Sequence, residues 1–280
     1  HFLLEPVSIE NLHNNRNTRN FWCRIEDKGC WSVCGSSAKQ EAEKFTKDQD
    51  ESTLEAGFMW QKLTRISKEY GVKAETTSFV TLDGAMEVMM VELTNTAEYE
   101  QKITPMAVIP VYGRSADNIR DHRHVTSLLH RIETKMYGVE VCPVLSFDER
   151  GHQKNQTYFV YGSTGEGEAP ETFYPTTEMF IGEGGSYLIP ETVRTVKDGV
   201  PAGTKLQGKE AAGGMRFASV TLKPQESAAY LILAGISEER EQIEKQTAAY
   251  RTKKQVEAAL ETVKKHWTDK VNVDFATGDT

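Results

Sequence analysis

The stretch "GRSADNIRDHRHVTSLLHR" (113–131) places four arginines, three histidines and two aspartates in nineteen positions, between apolar, strand-like runs. Several chemistries could use such a set. His122 and His124 are one residue apart, so on a strand both side chains share a face. With Asp121 and His130 they could ligate a metal, but the surrounding arginines oppose a cation. Arg114, Arg120, Arg123 and Arg131 could grip phosphates, but Asp117 and Asp121 partly cancel them. A histidine beside an aspartate can do acid–base work. Ser115 and Ser127, however, lack the setting of an activated nucleophile. Two readings fit the mixed charge better. One is a salt-bridged network, Asp117 with Arg120 and Asp121 with Arg123, that fixes an irregular loop. The other is a surface for a polar ligand, in which Arg114, Asp117, Asn118, Arg120, Asp121, His122 and His124 supply donors and acceptors together. Sugars need that mixture plus an aromatic face, for which Tyr112 and Trp60 are candidates. Phosphate groups suit the arginine fork. Residue chemistry favours the polar-ligand surface, and no metal is expected.

The elements that must hold this stretch are mostly strands. Turn signals recur at "EDKGC" (26–30), "EYGVK" (69–73), "TLDGA" (81–85) and "DERGH" (148–152), each with Gly after polar residues. Between them run segments rich in Val, Ile, Thr, Phe and Tyr, among them "TRNFWCRIE", "GFMWQKLTRIS", "MEVMMVELT" and "QTYFVYG". Near 215–220, Met215, Phe217 and Ser219 alternate with Arg216, Ala218 and Val220, the period of a strand. Many strands joined by short turns predict a mainly β fold, a large antiparallel β-sandwich. Residues 163–214 are crowded with Gly, Pro, Thr and Glu and read as long loops with a little local structure. "IGEGGS" (181–186) lacks the lysine and the strand-to-helix context of a phosphate loop. The period then changes. Residues 237–251 read as helix. In 252–267, Thr252 and Gln255 stand at capping-box spacing, and Val256, Leu260, Val263 and Trp267 mark one helical face.

Composition narrows the function classes. The chain has 280 residues and a formal net charge of −8, which argues against general nucleic-acid binding. No apolar run approaches the roughly 20 residues that span a bilayer, so no membrane partner is expected. The chain starts "HFLLEPVSIE", without an initiator Met, and reads as a piece of a longer polypeptide. "GCWSVCG" reads as a strand, which would hold Cys30 and Cys34 ~13 Å apart, too far for a disulfide. Cys23, Cys30, Cys34 and Cys142 are therefore expected to be reduced thiols, in keeping with a cytoplasmic location.

Four segments carry a resemblance: "TLEAGFMWQKLTRISKEYGV" (53–72), "IPVYGRSADNIRDHRHVTSLLHRI" (109–132), "LSFDERGH" (145–152) and "FYPTTEMFIGEGGS" (173–186). Together they resemble the N-terminal part of glycoside hydrolase family 94, the inverting β-glucoside phosphorylases. The likeness is greatest to the 1,2-β-oligoglucan phosphorylases and to the phosphorylase-like region of cyclic β-1,2-glucan synthases, and it spans roughly residues 19–280. It implies a β-sandwich over 1–236 and a helical linker over 237–280, leading to a catalytic (α/α)6 barrel that this chain does not include. It implies a homodimer, a β-glucooligosaccharide substrate, no cofactor, and inorganic phosphate as co-substrate. The general acid belongs to the barrel, so no catalytic residue is expected in this chain. The 113–124 segment would then close a sugar subsite of a barrel in the same or the partner protomer, or brace that loop. Two alternatives remain: a free-standing carbohydrate-binding sandwich, and a structural dimerisation domain.

Overall fold

A computed structural model describes residues 19–82, 86–112, 127–143 and 156–271. Two antiparallel sheets form the frame. The six-stranded sheet runs β11 (Thr172–Thr176), β13 (Ala211–Arg216), β7 (Gln101–Val111), β1 (Asn20–Ile25), β2 (Gly29–Ser32), with β14 (Val220–Leu222) also paired to β7. The nine-stranded sheet runs β12 (Lys205–Gln207), β8 (His130–Lys135), β9 (Gly138–Pro143), β10 (Thr157–Thr164), β15 (Ser227–Ser237), β6 (Met86–Asn95), β5 (Val72–Val80), β4 (Trp60–Ser67), β3 (Glu51–Gly57). Five helices are described: α1 (Ala38–Glu43), α2 (Thr177–Ile181), α3 (Glu191–Thr195), α4 (Ile243–Ala248) and α5 (Lys253–Val271).

Alternation along the strands makes three apolar layers. On β15, Tyr230, Ile232 and Ala234 enter the core between the sheets, while Leu231 and Leu233 face the other way. The inner core gathers Phe21, Val91, Val160, Met215 and Phe217 from both sheets. Phe21, Phe217 and Tyr230 form an aromatic trio with centroids 5.1–6.4 Å apart. The sheets approach closely at Gly213, where a methyl group would overlap the Val160 side chain. The outer face of the nine-stranded sheet (Phe79, Val88, Phe159, Tyr161, Leu231, Leu233) is covered by Ile243, Tyr250, Val256, Leu260 and Val263 of the C-terminal helical segment. The outer face of the six-stranded sheet (Trp22, Met106, Val108, Tyr174) is covered by Phe180, Tyr187 and Val193.

The helical period read over 252–267 corresponds to α5, which buries Val256, Leu260 and Val263. Its start is a reciprocal cap: the Thr252 amide donates to Gln255 Oε1 at 3.0 Å and the Gln255 amide to Thr252 Oγ1 at 3.4 Å. The other half of the helical reading, 237–251, resolves into a 3-10 turn (Arg240–Gln242) and α4.

Three local expectations need correction. "GFMWQKLTRIS" is not one strand: a two-residue turn at Phe58–Met59 splits it into the β3–β4 hairpin, with Met59 at φ 62°. That turn lacks the Asn-Gly signature, and the Trp60 indole packs against Gly57, leaving no room for a β-carbon. The strand read over "GCWSVCG" ends at Ser32, so Cys34 lies in a bend. All four cysteines are free thiols, with Cys23 fully buried. The loop-like region 163–214 contains β11, β12, α2 and α3. Its Thr and Pro residues act as helix starters: Thr176 caps α2 through its hydroxyl, and Pro190 precedes α3.

Candidate functional site

The polar stretch links the two sheets. It leaves the six-stranded sheet at the end of β7 and enters the nine-stranded sheet at the start of β8. Arg114, Asp117, Asn118, Arg120, Asp121, His122 and His124 lie outside the described residues, as do Ser115 and Arg123. Its two ends are described. Tyr112 is 5% exposed, Ser127 is buried, and Leu128 faces solvent.

His130 pins both ends together. The period-two pattern of "HRIETK" puts His130, Ile132 and Thr134 on the buried face of β8 and Arg131, Glu133 and Lys135 on the more open one. The imidazole Nε2 lies 2.9 Å from the Tyr112 carbonyl oxygen, and Nδ1 lies 3.2 Å from the Lys209 carbonyl oxygen. The His130 carbonyl in turn accepts from the Gly208 amide at 3.1 Å. A neutral imidazole has one N–H and can satisfy one of the two carbonyls; the imidazolium donates to both. His130, grouped by spacing with candidate metal ligands, is thus bonded to backbone carbonyls. Tyr112 presents its carbonyl to this brace, and its ring is almost wholly covered. The expected second aromatic, Trp60, stands elsewhere. It lies on β4, six strand spacings from β8, or about 29 Å along the sheet. There Lys264 Nζ sits 4.5 Å above its ring. Among the described residues no group of three or more His, Cys, Asp or Glu could hold a metal ion.

A second polar cluster, at the start of the helical segment, had no sequence signal. Glu133 of β8 pairs in register with Glu140 of β9, a juxtaposition that repels unless a cation bridges it. Arg240 supplies the cation. Its Nε donates to Glu140 Oε2 at 2.6 Å and its Nη2 to Glu133 Oε2. The Tyr161 hydroxyl donates to Glu140 Oε1 at 2.6 Å, and Lys135 Nζ to Glu133 at 2.9 Å. Burial tends to raise the Glu133 pKa, but the bonds from Lys135 and Arg240 hold it below its ordinary value. Burial alone would lower the Arg240 pKa, and its two carboxylate partners raise it. Burial, then the bond to Glu140, drive the Tyr161 phenol far up, so it acts here as a donor only. The cluster fastens the first turn after the sandwich to the outer face of the nine-stranded sheet.

The family model for the glycosyl hydrolase 94 supersandwich domain matches residues 4–253. The chain belongs to glycosyl hydrolase family 94. Two antiparallel sheets in a sandwich, with helices on the outer faces, agree with that supersandwich assignment. No curated protein sequence matches the chain. A bacterial glucoamylase solved with acarbose aligns over 91% of this chain and 31% of its own, with a TM-score of 0.52 at 8% identity. At that identity the likeness is one of fold alone. A putative kojibiose phosphorylase from human microbiome aligns over 92% of this chain and 25% of its own, with a TM-score of 0.36 at 11% identity. The supersandwich chain thus spans about a third or less of these solved chains. None of its helices is long and apolar enough, among the described residues, to cross a membrane.

Proposed function

We propose that this supersandwich is the N-terminal, non-catalytic domain of a phosphorylase acting reversibly on β-1,2-linked glucooligosaccharides. Inorganic phosphate attacks the anomeric carbon as the glycosidic oxygen leaves, giving α-glucose 1-phosphate with inversion. An inverting hydrolase needs an acid and a base flanking the bond, with space for a water between them. Phosphate is already an anionic nucleophile, so one general acid suffices, and a barrel outside this chain provides it. No cofactor is required, and the fragment alone is inactive. The enzyme works as a cytoplasmic homodimer. The family match over residues 4–253 carries the reading.

Within that enzyme the domain presents the polar loop. His130, which follows the segment, bonds the backbone carbonyls of Tyr112, which precedes it, and of Lys209, and that contact between its flanks supports the reading. Arg114, Asp117, Asn118, Arg120, Asp121, His122 and His124 would bond acceptor hydroxyls or brace the loop. The test is alanine replacement of Arg114 and Asp117 in the full-length enzyme, with phosphorolysis followed against both sugar and phosphate. A raised KM or lowered kcat for the glucan is expected. Unchanged kinetics for both substrates would refute the role.

A further inference from the structure

A pocket of about 570 Å³ opens on the outer face of the six-stranded sheet, far in the chain from the polar loop. Strand β1 and the edge strand β2 form its floor through Trp22, Arg24, Gly29 and Cys30. The start of α1 (Ser37, Ala38, Lys39) and the segment Leu188–Pro190 with α3 form its walls. Its lining is mostly apolar: Trp22, Pro190 and Val193 are buried there, and Ala38, Leu188 and Ile189 reach the surface. Ile189 is 53% exposed at the rim. Its volume lies within the range of small-molecule sites.

Among the described residues, the charges that line this pocket have one sign: Arg24, Lys39 and Arg194 line it and no carboxylate does, although the chain has 41 acidic and 33 basic residues. Lys39 is already paired, with Glu69 and, at 3.7 Å, with Glu43. Arg24 and Arg194 form no ion pair among the described residues, and Arg24 makes only a 3.3 Å bond to the Ile25 carbonyl. Both guanidiniums act on one point. Burial raises the pKa of the Cys30 thiol, and the fields of Arg24 and Arg194 oppose that rise. The thiol itself is occupied, bonded to the Val193 carbonyl at 3.3 Å. Among the described residues the buried Trp22 Nε1–H has no acceptor.

We propose that this pocket binds a small amphipathic anion, with an apolar body against Ala38, Leu188 and Ile189 and an acidic group between Arg24 and Arg194. Sugars suit it poorly, because its apolar walls offer few acceptors for hydroxyl groups. The site is therefore chemically distinct from the proposed glucan loop and does not depend on it. A carboxylate and a phosphate monoester share the required chemistry.

The test titrates the full chain with 8-anilinonaphthalene-1-sulfonate by fluorescence, beside its neutral counterpart N-phenyl-1-naphthylamine. One saturable site for the anion is expected, with weaker binding of the neutral probe. Loss of the two guanidinium contacts in Arg24→Gln/Arg194→Gln should weaken the anion at least tenfold and leave the neutral probe unchanged. Ile189→Glu, which puts a carboxylate at the rim, should weaken the anion in the same direction. Phenyl phosphate and 3-phenylpropionate as competitors distinguish the two acidic groups. Unchanged anion affinity in the double variant overturns the proposal, as does equal binding of both probes. Loss of binding in Phe58→Ser/Met59→Ser instead would also overturn it, by placing the probe on the exposed β3–β4 turn. Thermal melts of each variant separate lost binding from lost folding.

Discussion

Replacing Arg240 should loosen the junction between the sandwich and its C-terminal helices, and the size of the effect follows from two exposures. The Glu140 side chain is 3% exposed and that of Arg240 42%. Breaking a fully buried ion pair from one side costs roughly 3–5 kcal/mol, and an exposed pair is worth about 0.2–1 kcal/mol. Water reaches Arg240 but hardly Glu140, so Arg240→Met should cost about 2 kcal/mol, between those limits. Methionine keeps much of the aliphatic packing, so the loss reports charge and hydrogen bonds. In a domain of this size that corresponds to a drop in Tm of roughly 4–8 °C.

The decisive comparison is the double variant. In Arg240→Met, the Glu140 carboxylate keeps the Tyr161 hydroxyl but loses its countercharge, and it still faces Glu133 across the β8–β9 pair. Glu140→Gln in that background removes the stranded charge and can still accept from Tyr161. The double variant should therefore be more stable than Arg240→Met alone by about 1 kcal/mol, a strongly non-additive result. Urea denaturation gives the energies, and hydrogen exchange across Ile243–Ala248 gives the location. If Arg240→Met melts within 1 °C of the parent, or if the two substitutions simply add, the cluster is not what fastens this junction.

Two further outcomes follow from the same structure. Gly213→Ala should cost roughly 1–3 kcal/mol by overpacking, because Val160 of the opposing sheet fills the space a methyl would take; pairing it with Val160→Ala should recover part of the loss in the same urea melt. In acid, Glu75 and Glu133 should set part of the stability limb. Lys62 and Lys73 hold the Glu75 pKa down, and Lys135 and Arg240 outweigh burial at Glu133. A folded pKa below the unfolded one gives stability that is complete above the ordinary value of 4.5 and is lost as pH falls through the lower folded value. Glu75→Gln and Glu133→Gln should each lower stability at neutral pH and flatten its decline below about pH 4.5; a limb as steep as the parent's in both variants would refute this.

What sequence reasoning could reach here depended on how local the determinants were. The capping pair Thr252–Gln255 and the stripe Val256, Leu260, Val263 are short-range features, and α5 forms where they place it. His130 could have been assigned a structural role from "HRIETK", since the strand period puts it on the same face as Ile132 and Thr134. Its spacing from His122 and His124 had grouped it with candidate metal ligands, whereas its imidazole bonds two backbone carbonyls. The β3–β4 turn was hidden because Phe58 and Met59 carry no turn chemistry, and its closest packing, Trp60 on Gly57, appears only once the strands have paired. The Glu133–Glu140–Arg240 cluster had no readable trace. Arg240 reaches carboxylates 100 and 107 positions earlier, and nothing near any of the three residues signals the others. Arg24 and Arg194 are likewise brought to one pocket from positions 170 residues apart (194 − 24) by the stacking of α3 on β1. In this domain strands and helices are written locally, while charge clusters exist only once the two sheets have paired and their outer faces are covered. Functional reading from sequence alone was therefore drawn to 113–131, where polar residues are adjacent in the chain, and away from sites whose charges the fold assembles.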